Sequence, residues 1–281
     1  MRAIWAGALL VCYLAVTGTL LLAGRDRVSG VGILVHFALL AAIVAATWWQ
    51  RAPTWLRQWS PMLALLLLYS EMPMLIRAVG HDGFFDARVM AWEQALFGGQ
   101  PARAWAIQMP WRPVSEMLHG AYLSYYAIVF SVPVLLWLRR RIAEFHDAVF
   151  VLMLAFVTCF ACYLLLPVAG PRYVWSESHG MAPGPLRAFT LWLLEARSSK
   201  GTAFPSSHVA VAVTQSILAV RYFGARGWWL AGLTTALAAG AIYGGFHYAV
   251  DVIAGALAGG AVAVIGMRLT RRAHANATAP T

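Results

Sequence analysis

The sequence Ala203-Phe204-Pro205-Ser206-Ser207-His208, which leads into the apolar run of residues 209–220, decides how the chain is organised. Proline suits the first turn of a helix and serine is a preferred N-cap residue, so we expect a helix to begin here. Backbone N–H groups, two hydroxyl groups and the His208 imidazole would then converge at the positive end of the helix dipole. Such a helix start is typical of a site for an anion such as phosphate.

A second polar sequence, Phe246-His247-Tyr248-Ala249-Val250-Asp251, follows further along the chain. His247 and Asp251 are four residues apart and therefore lie on one face if this segment is helical. Two histidines and a carboxylate next to apolar segments make a candidate active site.

The composition predicts an all-α, polytopic membrane helical bundle. Hydrophobic residues make up 61% of the 281 residues and charged residues only 11%, a balance that a soluble domain would not tolerate on its surface. The net charge of +10 comes from basic residues that flank apolar segments, which favours membrane-flanking charge over a nucleic-acid partner. The three cysteines lie in apolar runs and match neither a zinc nor a disulfide framework.

The hydropathy pattern predicts about eight transmembrane helices. The first two occupy residues 1–59, a six-helix core occupies 60–268, and 269–281 are predicted to be a disordered cytoplasmic tail. Residues 79–113 are predicted to be interfacial with one or two amphipathic helices, and Pro185–Arg197 to be a short interfacial helix. The predicted spans are residues 4–23, 31–49, 60–78, 114–138, 147–168, 204–221, 227–244 and 247–268.

Charged residues occur near the end of the third predicted span, where Tyr69, Glu71 and Arg77 lie close together in sequence. A charge inside a membrane implies a cavity or a partner. The sequence leaves open whether these residues border a cavity or form a structural ion pair at the helix end.

The charge distribution predicts the orientation of the chain. With a cytoplasmic N-terminus, the inner side carries eleven arginines against two acidic residues, a net charge of +9, and the opposite side carries +1. The positive-inside rule favours this orientation. We therefore expect an integral protein of a bacterial inner membrane whose candidate site faces the periplasm or exterior.

The candidate site could transfer a phosphoryl group through a phosphohistidine. His247 is the expected nucleophile, because Asp251 can accept the N–H of its other ring nitrogen. His208 would protonate the leaving oxygen. Positive charge and hydrogen-bond donors must also hold the phosphoryl oxygens, and the residues predicted for this are Arg172, Lys200, Ser206 and Ser207.

These motifs resemble those of a known family. Phe204-Pro205-Ser206-Ser207-His208 and the later sequence from Gly244 to Val252 are similar to the second and third signature motifs of the type 2 phosphatidic acid phosphatase superfamily. The residues of the two motifs are most similar to those of the inositol phosphorylceramide synthase and sphingomyelin synthase-like branch of that superfamily. That branch often carries an upstream Tyr-x-x-x-Arg-x-Leu element, which the sequence from Tyr69 to Arg77 resembles loosely. The resemblance suggests head-group or lipid contacts for Tyr69, Arg77 and Tyr173.

The sequence also departs from the lipid phosphatases of that superfamily. Leu165 stands where their first motif has lysine, and Ala241 stands where their third motif has arginine. Pro171-Arg172 reverses their Arg-Pro order, and Ser207 replaces a glycine. The sphingolipid head-group transferases also lack these motif cations, which favours the inositol phosphorylceramide synthase and sphingomyelin synthase-like branch.

The resemblance implies an integral-membrane lipid phosphatase or lipid head-group phosphotransferase that acts on a lipid phosphate or phospholipid. We expect no metal and no cofactor, since no third ligand at a fixed spacing completes a set with His247 and Asp251. The sequence leaves open whether the acceptor is water or an alcohol such as inositol or ceramide. The alternative is a non-catalytic lipid transporter or scaffold whose polar groups line a translocation path.

The predicted orientation can be tested by cysteine labelling in intact cells. Ser178→Cys should react with a membrane-impermeant thiol reagent and Ala225→Cys should not, because the two positions lie in loops on opposite sides. The reverse pattern would contradict the orientation and place the substrate in the inner leaflet.

Overall fold

A computed structural model of the chain describes residues 3–49, 51–175 and 184–278, and these residues are almost entirely helical. The helices are, in chain order, α1 (Ala3–Ala23), α2 (Gly30–Trp48), α3 (Thr54–Ser70), α4 (Met72–Val79), α5 (Asp86–Phe97), α6 (Pro101–Gln108), α7 (Arg112–Leu123), α8 (Tyr125–Leu138), α9 (Ile142–Leu165), α10 (Pro171–Val174), α11 (Pro185–Arg197), α12 (Ser207–Phe223), α13 (Trp228–Tyr243) and α14 (Ala249–Thr278).

The predicted polytopic helical architecture is confirmed. Among the described residues, five helical segments are long and apolar enough to cross a membrane, and they correspond to α1, α2, α7 with α8, α9 and α14. The pair α3 and α4 would make a sixth span with a bend of 54°. Pro73 explains the bend, because it lacks an N–H group and its ring excludes the carbonyl group of the preceding turn. The remaining predicted spans, α12 and α13, have 17 and 16 residues, near the lower limit for a spanning helix.

Short helices also form in the two segments that were predicted to be interfacial. The predicted helix over Pro185–Arg197 is confirmed with the same bounds as α11. Two short helices, α5 and α6, occupy the segment of residues 79–113. Helix α14 continues to Thr278, into the stretch predicted to be a disordered tail. The labelling position Ser178 lies outside the described residues.

Helix α9 occupies the centre of the bundle and contacts α1, α3, α4, α8, α12 and α14. Its apolar side chains face neighbours on most sides, and Phe145, Leu152, Cys159 and Tyr163 are completely or almost completely buried. Cys159 is therefore a packing residue, as its apolar surroundings predict.

A buried pair attaches the first two helices to the core. The Nδ1 atom of His36 on α2 lies 2.9 Å from Oε2 of Glu71, and its Nε2 atom lies 2.9 Å from the carbonyl oxygen of Leu14 on α1. The partner of Glu71 is therefore His36, while Arg77 is exposed on α4. This answers the question that the sequence left open: Glu71 belongs to a structural pair that joins α1, α2 and the bend before α4.

Two glycines bring α14 against α12. A methyl group at Gly255 would overlap the carbonyl oxygen of Ser206, and one at Gly259 would overlap that of Ala210. The spacing of four residues places both glycines on the same face, as in small-residue contacts between membrane helices. The close approach brings the start of α14 beside the start of α12.

Substitution of these glycines should test the close contact. We expect Gly259→Ala to lower the free energy of unfolding by about 1–3 kcal/mol, because the added methyl group forces the helices apart. Thermal unfolding in detergent would measure the effect.

Gly260→Ala is the matched control, because a methyl group at Gly260 meets open space and both changes alter helix propensity equally. Equal stability of the two variants would contradict the proposed packing.

Candidate active site

The start of α12 carries the first motif. Ser206 is the N-cap residue, and its hydroxyl oxygen accepts a hydrogen bond from the Val209 N–H at 3.4 Å. Pro205 precedes this cap instead of lying in the first turn of the helix. The Ser206 N–H donates to the Asp251 carbonyl oxygen at 2.9 Å, and the Ser207 N–H donates to the Tyr163 hydroxyl at 3.2 Å. These two backbone donors are therefore already bound to protein groups.

His247 lies in the loop before α14 with a defined hydrogen-bond partner. Its Nδ1 atom is 3.0 Å from the carbonyl oxygen of Ala203 and 3.6 Å from Oδ2 of Asp251. A carbonyl oxygen can only accept, so Nδ1 carries a proton, and in the neutral ring the lone pair is then on Nε2. The Ala203 carbonyl group, which the sequence analysis did not consider, is thus the closest group that orients the ring.

Asp251 is fully buried in the first turn of α14. Its Oδ2 atom accepts a hydrogen bond from the Tyr248 N–H at 2.8 Å, which is the helix-capping geometry of an acidic residue at the third helical position. Its Oδ1 atom has no hydrogen-bond partner in the described parts of the chain. Asp251 therefore fixes the turn that follows His247 and places negative charge beside the imidazole ring.

His208 faces His247 across the top of the two helices, with 5.6 Å between the ring centroids. The His208 ring packs against Tyr122 at 5.1 Å and against Tyr125 at 4.2 Å. Its Nε2 atom lies 3.3 Å from the Tyr122 hydroxyl, and its Nδ1 atom is buried with no hydrogen-bond partner among the residues that the structure describes. The two tyrosines hold the His208 ring in place beside His247.

Both histidines line a cavity of about 580 Å³. The residues that α3, α8 and α9 contribute are mostly apolar, whereas polar side chains come mainly from the segments after α9 and after α11. The polar side chains include those of Arg172, Tyr173, Ser198, Ser199, Thr202 and Ser207, and the apolar ones include those of Met62, Leu65, Leu66, Val129, Phe130 and Phe156. Leu66 and Phe130 are also exposed on the outer surface of the bundle, so the apolar part of the cavity reaches the surface between α3 and α8.

Of the two predicted phosphate-binding cations, Arg172 lines the cavity and Lys200 does not. The Nη1 atom of Arg172 is buried and has no hydrogen-bond partner among the described residues, so within them it remains available to an anion. Lys200 is exposed, with its Nζ atom 5.1 Å from the centre of the Tyr173 ring. The Arg172 guanidinium group lies 4.8 Å from the same ring. Arg172 thus lines the same cavity as the two histidines, whereas Lys200 is exposed and lies outside the cavity lining.

The three residues predicted to contact the head group or the lipid divide in the same way. Tyr69 and Tyr173 line the cavity, where the Tyr69 hydroxyl lies 3.2 Å from Oγ1 of Thr202 and the Tyr173 hydroxyl lies 2.8 Å from Oγ of Ser198. Arg77 is exposed on α4 and is not part of the cavity wall.

The sequence did not single out the carboxylates of Asp86 and Glu93 as site residues. Both lie on α5, and both are buried against loops that carry site residues. Their spacing of seven residues on one helix face was the signal that could have identified them. Within the described parts of the chain, no group of three or more His, Cys, Asp or Glu side chains is arranged to hold a metal ion.

Comparison with known proteins identifies the family. The model of the PAP2 superfamily matches residues 87–265, a stretch that contains His208, His247 and Asp251 and covers more than half of the 281 residues. No curated protein and no solved structure matches the chain. The chain therefore belongs to the PAP2 superfamily, whose members are generally phosphoric ester hydrolases.

Proposed function

We propose that this protein is a membrane enzyme that transfers the phosphoryl group of a lipid phosphate or phosphodiester through a phosphohistidine on His247. The observation that carries the proposal is the orientation of His247. Its Nδ1 atom is bound by the Ala203 carbonyl group, which leaves Nε2 as the nucleophilic atom at the polar end of a largely apolar cavity. A neutral imidazole in this tautomer is what nucleophilic attack on phosphorus requires.

In the first step, the lone pair of His247 Nε2 forms a bond to phosphorus and the bond to the leaving oxygen breaks. His208 donates a proton to that oxygen. In the second step, water or an alcohol attacks the phosphorus while His208 takes its proton, and the phosphorus–nitrogen bond breaks to restore Nε2. The Arg172 guanidinium group, whose Nη1 atom has no partner among the described residues, balances the negative charge of the phosphoryl oxygens in both steps.

The environment of His247 favours the intermediate. A phosphorylated imidazole that keeps its Nδ1 proton is positively charged on the ring. The Asp251 carboxylate 3.6 Å away and the Ala203 carbonyl oxygen 3.0 Å away both stabilise that charge. Because the site is buried, their effect is greater than it would be in water.

The shape of the cavity favours a lipid substrate. Apolar side chains of α3 and α8 continue from the histidines to the outer surface of the bundle, where Leu66 is 77% exposed. A lipid could keep its chain in this apolar part while its phosphate lies at the histidines. The charge distribution of the loops supports an outer-leaflet substrate.

Within this class, we infer transfer of a phospholipid head group, as in the inositol phosphorylceramide synthase-like branch. The positions of two cations typical of the lipid phosphatases are occupied by apolar residues: Leu165 is exposed at the end of α9 and Ala241 is buried in α13. Hydroxyl groups of Ser198, Ser199 and Thr202 line the polar part of the cavity instead and could bind an alcohol acceptor such as inositol.

The experiment that tests the function is an assay of purified protein with a panel of lipid phosphates and phospholipids, with and without inositol or ceramide. We expect phosphate release, or a new lipid that forms only when the acceptor alcohol is present. Absence of both products across the panel would contradict the proposal and favour the alternative, a lipid transporter or scaffold.

His247→Ala should abolish turnover, since no other group in the proposed mechanism can form the covalent intermediate. Asp251→Asn should reduce turnover less, because it removes charge stabilisation and leaves the nucleophile in place. Initial rates with the best lipid of the panel would measure both effects.

His81→Ala is the matched control, because His81 binds the Leu164 carbonyl group at 2.7 Å and does not line the cavity. If His247→Ala retained a tenth or more of the wild-type rate, the assignment of the nucleophile would be wrong.

The intermediate should be detectable with the donor alone and should be labile in acid but stable in base, as expected of a phosphoramidate. His208→Ala should slow its formation most for lipids with poor leaving groups, since a good leaving group does not need a general acid. Rapid quenching with labelled donors would measure these rates. An equal loss for good and poor leaving groups would show instead that His208 only binds the phosphate.

A further inference from the structure

Helix α5 places two carboxylates inside the protein. Asp86 and Glu93 lie seven residues apart on one face, and both are buried, whereas Leu96 and Phe97 on the same helix are exposed. Burial of a carboxylate is unfavourable unless hydrogen bonds compensate for the lost water. The partners of these two carboxylates therefore indicate why they are there.

The partners of Asp86 lie in the loop that carries Arg172. The N–H groups of Ala169 and Gly170 each donate to its carboxylate at 2.9 Å. Gly170 has a φ of +101°, a conformation that favours glycine, and it directly precedes the short helix that contains Arg172. The Tyr248 hydroxyl also donates to Asp86, at 3.0 Å. Asp86 therefore joins the Arg172 loop to the segment that contains His247.

The partner of Glu93 is the start of α14. Its Oε1 atom accepts a hydrogen bond from the N–H group of Ala249, the first residue of that helix. Neither Tyr248 nor Ala249 has a side chain that caps a helix well. Glu93 supplies this cap from another helix, two residues after His247, while Asp251 binds the adjacent Tyr248 N–H.

We propose that Glu93 and Asp86 are positioning residues of the active site: α5 sets the place of His247 through the start of α14 and the place of Arg172 through the preceding loop. This inference rests on the proposed function in that it assigns His247 and Arg172 to the reaction. Neither carboxylate lines the cavity, so both act on the substrate only through the residues that they hold.

The proposed role of Glu93 requires an oxygen that accepts the Ala249 N–H and does not require the negative charge of the carboxylate. Burial, together with the nearby charge of Asp251, raises the pKa of Glu93 to about 7, although the N–H groups of Ala249 and Val250 oppose this shift. A neutral carboxyl group is therefore populated near neutral pH, and its carbonyl oxygen can still accept the Ala249 N–H. Glutamine resembles that neutral form, which makes Glu93→Gln the conservative variant.

The test compares Glu93→Ala with Glu93→Gln in the full-length protein. Glu93→Ala should lower kcat roughly 100-fold with little change in KM, since a small displacement of a reacting group has an effect of this size. Glu93→Gln should recover most of that loss. Asp86→Ala should raise KM more than it lowers kcat, because Arg172 binds the phosphate. Gln94→Ala, at the exposed neighbouring residue of α5, is the control and should match the wild type.

A second measurement separates this inference from the proposed function. Orthovanadate adopts the five-coordinate geometry of phosphoryl transfer and can bond to an imidazole nitrogen, so its binding by calorimetry reports the site without turnover. Glu93→Ala should weaken that binding, and Glu93→Gln should restore it. Vanadate binding by a wild-type protein that converts no lipid would contradict the proposed function alone.

The positioning role would be overturned if Glu93→Ala kept more than half of the wild-type kcat and vanadate affinity. It would also be overturned if a folded Glu93→Gln variant lost as much as Glu93→Ala, because the charge would then matter and the acceptor would not. If Glu93→Ala does not fold, the test rests on Glu93→Gln. Activity of this variant near that of the wild type supports the positioning role of Glu93, and a large loss of activity in the folded variant overturns it. A wild-type protein that neither converts lipid nor binds vanadate would overturn both proposals.

Discussion

The hydrogen bond from the Ser206 N–H to the Asp251 carbonyl oxygen, 2.9 Å long, joins the starts of α12 and α14. The absence of a side chain at Gly255 permits this approach, because a methyl group there would overlap the Ser206 carbonyl oxygen. His208 and His247 lie beside this junction, so the distance between their rings follows from the helix contact. The relative position of the two histidines is therefore fixed by the packing of α12 against α14.

Buried carboxylates then fix the loops around this junction. Asp86, Glu93 and Asp251 each accept backbone N–H groups at the start of a helix or immediately before one. Such N–H groups have no partner within their own helix, and little water is available to them in a buried position. Acidic residues at these points satisfy the backbone, and Asp251 also places its carboxylate 3.6 Å from the imidazole that becomes positive in the proposed reaction.

The sequence predicted the features that depend on local pattern. The apolar segments predicted membrane helices, Pro185–Arg197 predicted α11, and the two motifs identified the segments that carry His208 and His247. It could not supply partners that are distant along the chain. The Ala203 carbonyl group as the acceptor for His247, and His36 as the partner of Glu71, are results of packing that no local spacing encodes.

The charge of the cavity bears on the choice between hydrolysis of a phosphomonoester and transfer of a head group. Among the described residues that line it, Arg172 is the one with a permanent positive charge, since Lys200 lies outside and Leu165 and Ala241 are apolar. A phosphomonoester carries up to two negative charges at neutral pH, whereas a phosphodiester carries one. A buried anion needs matching charge or hydrogen bonds to replace its water. One guanidinium group and several hydroxyl groups match the single charge of a phosphodiester more closely, which supports the phospholipid donor in the proposed function.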